Sequence, residues 1–316
     1  MTIGHFPPDT SLDELHAHLN EAGYVVIENA LPDELLARLR STVDHLLACE
    51  RAAPSVPGDG PSHPNDHEFE AFFRDSYTVS EAEVTRLMQR IRHTRASQAG
   101  TPWPVEACRV NKCFLHLPTM FDNDRSQRVW NLLNKCDDSA ALVEHSTVLP
   151  LVQRVLGFDC VLSDCSATSI GPQTGGGAWH VDAPLGQLPE PLPDFAITTQ
   201  NAWLLDDFTA DNGATRIVPG SHATRRKPGW VAGEMPDEIT LTAPAGSVAV
   251  WLSNTWHRSG PNTTDQPRRA ILSYYCRSWV APFTDFCSNA DPTMVNRFSP
   301  AVRYLMGYSA KAPTRG

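Results

Sequence analysis

The feature that most limits what this chain can become is a change of hydrophobic period near residue 158. Before it, apolar residues recur at helical spacing; after it, short apolar runs are broken by Gly, Pro and Asn turns. SLDELHAHLNEA (11–22) carries a capping Ser11, early acids and a helical stripe that Gly23 ends, and YVVIENAL then reads as a short strand. The next segment, PDELLARLRSTVDHLLACERA, opens on Pro32 and aligns Leu35, Leu36, Leu39, Val43, Leu46 and Leu47 along one side, the pattern of a long helix. A Pro/Gly/Ser loop covers 52–66. The segment from Ser80 to Gly100 predicts an amphipathic helix with a basic face through Arg86, Arg90 and Arg92, and TVLPLVQRVLG predicts a helix that stops at Gly157.

From Asp159 onward the strand-like runs are CVLSDCSATSI, AWHVDA, FAITTQNAWLLDD, ATRIVPG, SVAVWLS and RRAILSYYCRSWV. Many short strands with such punctuation predict a sandwich or barrel. The expectation is one domain over 1–316, mainly β with helical additions. Its core would be a double-stranded β-helix, a jelly roll of cupin-like type, over 158–285, braced by the helix-rich 1–157.

Charge narrows the partners. Of the 316 residues 36 are acidic and 26 basic, a formal net charge of -10, which argues against nucleic acid because that binding neutralises phosphates with Lys and Arg. No apolar run approaches the roughly 20 residues of a membrane helix. The start MTIGHFPPDTSLDELHAHL lacks the basic and apolar regions of a signal peptide, so the expected place is the cytoplasm and the expected partner a small-molecule substrate. Oligomeric state is not legible. The eight cysteines read as reduced and mostly buried. Cys108/Cys113 and Cys160/Cys165 have a gap that zinc sites sometimes use, but an odd separation on a strand points two side chains to opposite faces. Structural zinc is the alternative.

His180 and Asp182, two apart in AWHVDA, would leave the same face of a strand and could share one metal. His257, just past the apolar run VAVWLS, is the candidate third ligand. Two imidazoles and one carboxylate form the facial triad of non-haem iron(II) oxygenases, which leaves positions open for co-substrate and O2. Three glycines directly precede the pair, where backbone can bend and approach a bound group. Arg268 opens a later apolar strand. A buried guanidinium needs an anionic partner, and its planar fork suits a carboxylate. Arg269 must then face the other way.

The segments WHVD, WLLDDFTADNGATRIVPGSH and HRSGPNTTDQPRRAILSYY, in this order and spacing, resemble the phytanoyl-CoA dioxygenase family of iron(II)/2-oxoglutarate oxygenases, closely over about 160–275 and loosely over the whole chain. The resemblance implies iron(II) ligands at His180, Asp182 and His257, and Arg268 binding the C5 carboxylate of 2-oxoglutarate. It makes Ser259 a second donor to the co-substrate, Gln200 or Trp203 inward-facing wall residues, and Asn131 and Asn134 cofactor or substrate contacts. His222 in PGSH reads as structural. The chain keeps Asp182 where a halogenase of this scaffold has a small residue, which favours hydroxylation or another oxidation. A natural-product tailoring hydroxylase is the first expectation, with an acyl-CoA or amino-acid hydroxylase behind it. The basic text at Arg225, Arg226 and Lys227 could meet an anionic substrate. A different class also stays open: a non-catalytic cupin-like metal protein, or a zinc hydrolase using the same three ligands.

Overall fold

The computed structural model describes residues 4–52, 126–229, 234–284, 286–289 and 292–308, with single positions between 66 and 88. Of the helix expected from Ser80, Val84 and Met88 are described, helical and buried. Arg86, Arg90, Arg92 and the Cys108/Cys113 pair lie outside the described residues.

The N-terminal segments form as their patterns require. After a short strand β1 (His5–Phe6), helix α1 (Leu12–Ala22) is capped by the Ser11 side chain, which accepts from the Glu14 N–H at 3.3 Å. Gly23 ends it with φ +82, a left-handed turn that glycine takes without steric cost. A Cβ there would also stand 2.5 Å from Thr255 Oγ1 and 2.6 Å from His222 Nδ1. Strand β2 (Tyr24–Ile27) follows at once, then helix α2 (Asp33–Ala52) and strand β3 (Gln127–Val129). Helices α3 (Ala140–Val143) and α4 (Val148–Leu156) precede strand β4 (Val161–Ile170). The remaining strands are β5 (Thr198–Leu204), β6 (Thr215–Ile217), β7 (Ile239–Thr240), β8 (Val248–Leu252), β9 (His257–Ser259) and β10 (Arg268–Cys276).

Among the described residues these strands make two sheets, a seven-stranded one in the order β1-β2-β8-β5-β10-β4-β3 and a three-stranded one in the order β7-β6-β9. All pairs are antiparallel except β1 with β2. Helical segments are as extensive as the strands, so the architecture is mixed α/β rather than mainly β, and β1, β2 and β3 from the helix-rich half join the large sheet.

The alternation of side chains gives the large sheet two different faces. One packs under the helices: Val25, Val250, Trp203, Ile271, Tyr275, Cys165 and Ala167 meet Leu15 and Leu19 of α1, Leu39 and Val43 of α2 and Leu151 of α4. The other face turns toward the small sheet through Val26, Trp251, Ala202, Leu204 and Ala270, which pack with Ile217. Two expectations fail here for local reasons. In β4 the register shifts between Leu162, opposite Tyr275, and Asp164, opposite Tyr274, so Ser163 is an extra residue. That bulge brings Cys160 and Cys165 into the same cluster instead of onto opposite faces; both are free thiols whose pKa burial pushes up. AWHVDA, in turn, is no strand: only His180 forms a bridge, to His257. Glycines before it and Pro184 after it leave little ladder to extend.

Candidate metal centre

The bridge assembles the site. His180 and His257 exchange backbone hydrogen bonds, His180 N–H to the His257 carbonyl at 3.0 Å and the reverse at 3.1 Å, while the Asp182 N–H donates to the Ser253 carbonyl at 2.9 Å. The two imidazole centroids are 4.3 Å apart. Asp182 Oδ1 lies 3.3 Å from His257 Nε2 and 3.9 Å from His180 Nε2. All three donor atoms fall within 4.8 Å of one another, a set that can hold one metal ion.

Hydrogen bonds away from the centre fix how the rings present themselves. Nδ1 of His180 donates to the Ala178 carbonyl at 2.9 Å, and Nδ1 of His257 to the Thr255 carbonyl at 2.8 Å. Each bond selects the tautomer that leaves Nε2 with its lone pair toward Asp182. Desolvation and then the charge of His257 hold the His180 imidazole below its ordinary pKa. Burial alone would raise the Asp182 carboxyl, but the charge and hydrogen bond of His257 outweigh it and keep the group ionised. His257 is likewise desolvated, yet the Asp182 carboxylate raises its pKa. The centre is open on one side: the His180 side chain is 44% exposed and that of His257 6%.

Arg268 and Arg269 separate as the strand requires. Arg269 turns toward the helices and binds Asp206 at 2.6 Å, and also Asp44 of α2. Arg268 is buried on the opposite face with its guanidinium 4.2 Å above the Phe208 ring. It donates to the Gly213 carbonyl, while its Nε has no partner. Gly213, at φ +85 with Ile170 Cγ2 3.0 Å from where a Cβ would sit, brings that carbonyl close, which explains the Asn-Gly turn. Burial pushes the Arg268 pKa down to about 10. Among the described residues no carboxylate pairs with it, so the site holds a cation that a bound anion would satisfy.

The other expected residues scatter. Ser259 lies on β9 two residues after His257, and its hydroxyl accepts from the Gly177 N–H at 3.2 Å, which leaves its own proton to donate. The glycine run lies close against β9: a Cβ on Gly176 would stand 2.9 Å from the Ser259 carbonyl. Gln200 pairs with Trp251 and Tyr274, on the face turned to the small sheet, with Oε1 buried and unpartnered. Trp203, by contrast, faces the helices, its Nε1 donating to Ser273 Oγ at 3.1 Å; the expectation of an inward wall residue is corrected for it, because the parity of β5 turns it away from the face that Gln200 shares. Asn131 takes a left-handed φ of 54 before the short turn Leu132–Asn134, and no described contact joins either asparagine to the triad. His222 holds the Asn20 carbonyl at the end of α1 at 2.9 Å. Arg225 turns back onto the Leu192 carbonyl at 2.6 Å. Sequence reasoning missed Phe208 beneath Arg268, which carries no motif. It also missed Tyr274, whose hydroxyl donates to the Ala183 carbonyl beside Asp182 and accepts from Thr198 Oγ1 at 2.8 Å.

An open metal triad and a buried, unpaired arginine, set between two sheets, define the class of 2-oxoglutarate-dependent non-haem iron dioxygenases. The family described as Phytanoyl-CoA dioxygenase (PhyH) matches residues 19–270, and the chain belongs to it, with iron and 2-oxoglutarate as its cofactors. Dioxygenase af480 of Aspergillus fumigatus is 26% identical over 79% of this chain and 77% of its own. Among solved structures, the carbocyclase SnoK from nogalamycin biosynthesis shares the fold at TM-score 0.51 and 17% identity, over 85% of each chain. The epimerase SnoN, solved with Fe3+, alpha ketoglutarate and nogalamycin RO, does so at TM-score 0.51 and 16% identity over 96% of each chain. Among the described residues no helix is long and apolar enough to cross a membrane.

Proposed function

We propose that this chain oxidises an unactivated C–H bond of a small organic molecule as a tailoring step of natural-product biosynthesis. The observation that carries the reading is the pairing of a converged His180–Asp182–His257 set with a buried Arg268 that lacks a carboxylate. In this reading the three residues hold iron(II), and the two sheets form a double-stranded β-helix within one domain. Arg268 binds the C5 carboxylate of 2-oxoglutarate, with the Ser259 hydroxyl as a second donor and Gln200 on the wall. Bound iron, with 2-oxoglutarate and O2, supplies the oxidising power and leaves succinate and CO2.

The chain's own part is geometry and shelter. The Ala178 and Thr255 carbonyls orient the two imidazoles, and Phe208 under Arg268 and Trp251, 5.2 Å from the His257 ring, keep the interior poor in water. Nogalamycin biosynthesis, named for the carbocyclase and the epimerase, supports the tailoring role. The test is succinate formation by iron-loaded and zinc-loaded protein. Succinate made with iron alone, and faster with a candidate natural-product scaffold, is the expected result. A zinc-supported hydrolysis without 2-oxoglutarate consumption would replace the reading by that of a hydrolase.

A further inference from the structure

The face of the large sheet that looks onto the metal centre has a charge axis. At one end stands Arg268, and Arg128 of β3, opposite Thr168 and hence level with Ala270, adds a second guanidinium on the same face. Toward the other end, six residues along β10, Tyr274 pairs with Asp164 of β4. Residues opposite each other in an antiparallel pair share a face, so Asp164 and Ser166 stand on the metal side of β4 while Cys165 packs under the helices. The Tyr274 hydroxyl bonds the Ala183 carbonyl, next to the ligand Asp182, so the strand partner of Asp164 reaches the loop that carries the centre.

Asp164 is only 5% exposed. Ser166 donates to its Oδ2 at 3.0 Å and Thr284 to its Oδ1 at 2.9 Å, and among the described residues no cation pairs with it. The Ser163 bulge organises this corner: its hydroxyl accepts from the Phe283 N–H at 3.0 Å and its carbonyl from the Thr284 N–H at 2.8 Å. The loop so tied lays Phe283 flat on Tyr274, centroids 5.3 Å apart, beside the carboxylate. A buried carboxylate with two neutral donors retains lone pairs for a further donor, and a charged donor would gain most.

We propose that Asp164 is a specificity-determining residue that receives a hydrogen-bond donor of the substrate, an ammonium or a hydroxyl, while Phe283 and Tyr274 flank the adjoining apolar part. This rests on the oxygenase reading and deepens it: the co-substrate's C5 carboxylate belongs to the arginine end and the substrate's donor to the aspartate end. A thioester acyl chain in that place would offer no donor, and a substrate carboxylate would set acceptor against acceptor.

The test uses the full chain loaded anaerobically with iron(II) and 2-oxoglutarate, titrated by calorimetry with three probes on one apolar body: 2-phenylethylamine, 2-phenylethanol and 3-phenylpropionate. The amine should bind roughly tenfold or more tightly than the carboxylate, with an alcohol that binds between them marking hydroxyl as an accepted donor. Asp164→Asn, nearly isosteric, should lose the preference for the amine and keep 2-oxoglutarate binding. The wild-type ranking decides even if that variant does not fold. Equal or tighter binding of the carboxylate, no binding of the amine, or an unchanged ranking in Asp164→Asn overturns the proposal, the last making Asp164 only an anchor for Thr284. Failure of the loaded protein to bind 2-oxoglutarate at all would instead remove the oxygenase reading, and this inference with it.

Discussion

The two faces of the large sheet are built from the same strands and treat charge differently. Under the helices, Trp203, Ile271, Tyr275 and Cys165 are fully buried, and the polar atoms of Trp203 and Tyr275 find protein partners. On the face turned to the small sheet, Arg268 Nε, Gln200 Oε1 and Trp251 Nε1 are buried without any. The helix face also leaves neutral oxygens unpartnered, Thr199 Oγ1 and Asn201 Oδ1, so what separates the two faces is the buried guanidinium of Arg268, which costs more to leave unpaired than a neutral group and marks its face as shaped for a bound anion. The adjacent arginines of β10 show the contrast within two residues: Arg269 is neutralised by Asp206 and Asp44 and ties strand to helix, whereas Arg268 faces the interior without an acid.

Substitutions on the two faces should therefore separate function from stability. The largest effect belongs to Asp182→Ala, expected to abolish iron retention and lower turnover by roughly a thousandfold or more, while thermal unfolding of the metal-free protein changes little; metal analysis and succinate assays check it. Arg268→Gln should raise the 2-oxoglutarate requirement roughly 10- to 100-fold and leave iron affinity unchanged, measured by titrating co-substrate into iron-loaded protein. On the other face, Trp203→Ala should cost about 3–5 kcal/mol of stability in denaturant unfolding, yet the folded fraction should keep wild-type affinity for 2-oxoglutarate. Loss of that affinity would break the division between the faces. Gly23→Ala should cost about 1–2 kcal/mol through its positive φ and the crowding at Thr255 and His222. Ser259→Ala is the mildest, a loss of only a few-fold in 2-oxoglutarate affinity, consistent with one neutral hydrogen bond.

Much of this was legible in the residues. Ser11 and Gly23 bounded α1, and the strand period separated Arg268 from Arg269 without any knowledge of the fold. The convergence of His180, Asp182 and His257 was legible from residue type, but not its means, since three backbone hydrogen bonds to distant carbonyls, two of them the His180–His257 bridge, replace the expected strand. Period two states that neighbours face opposite ways and not which one faces in; that ambiguity put Trp203 on the wrong side of β5. The Ser163 bulge is a different kind of omission, because an inserted residue resets the alternation and nothing in CVLSDCSATSI announces it. Asp164 went unnoticed for the same reason: its face depends on where that bulge falls.

The most direct test of the central claim is an anaerobic titration of iron(II)-loaded protein with 2-oxoglutarate, following the visible metal-to-ligand charge-transfer band in wild type, His180→Ala and Arg268→Ala. A band in wild type that disappears in His180→Ala and needs far more co-substrate in Arg268→Ala is the predicted result. Folded, iron-loaded wild type that gives no band, or a band indifferent to both substitutions, would contradict the assignment of this centre.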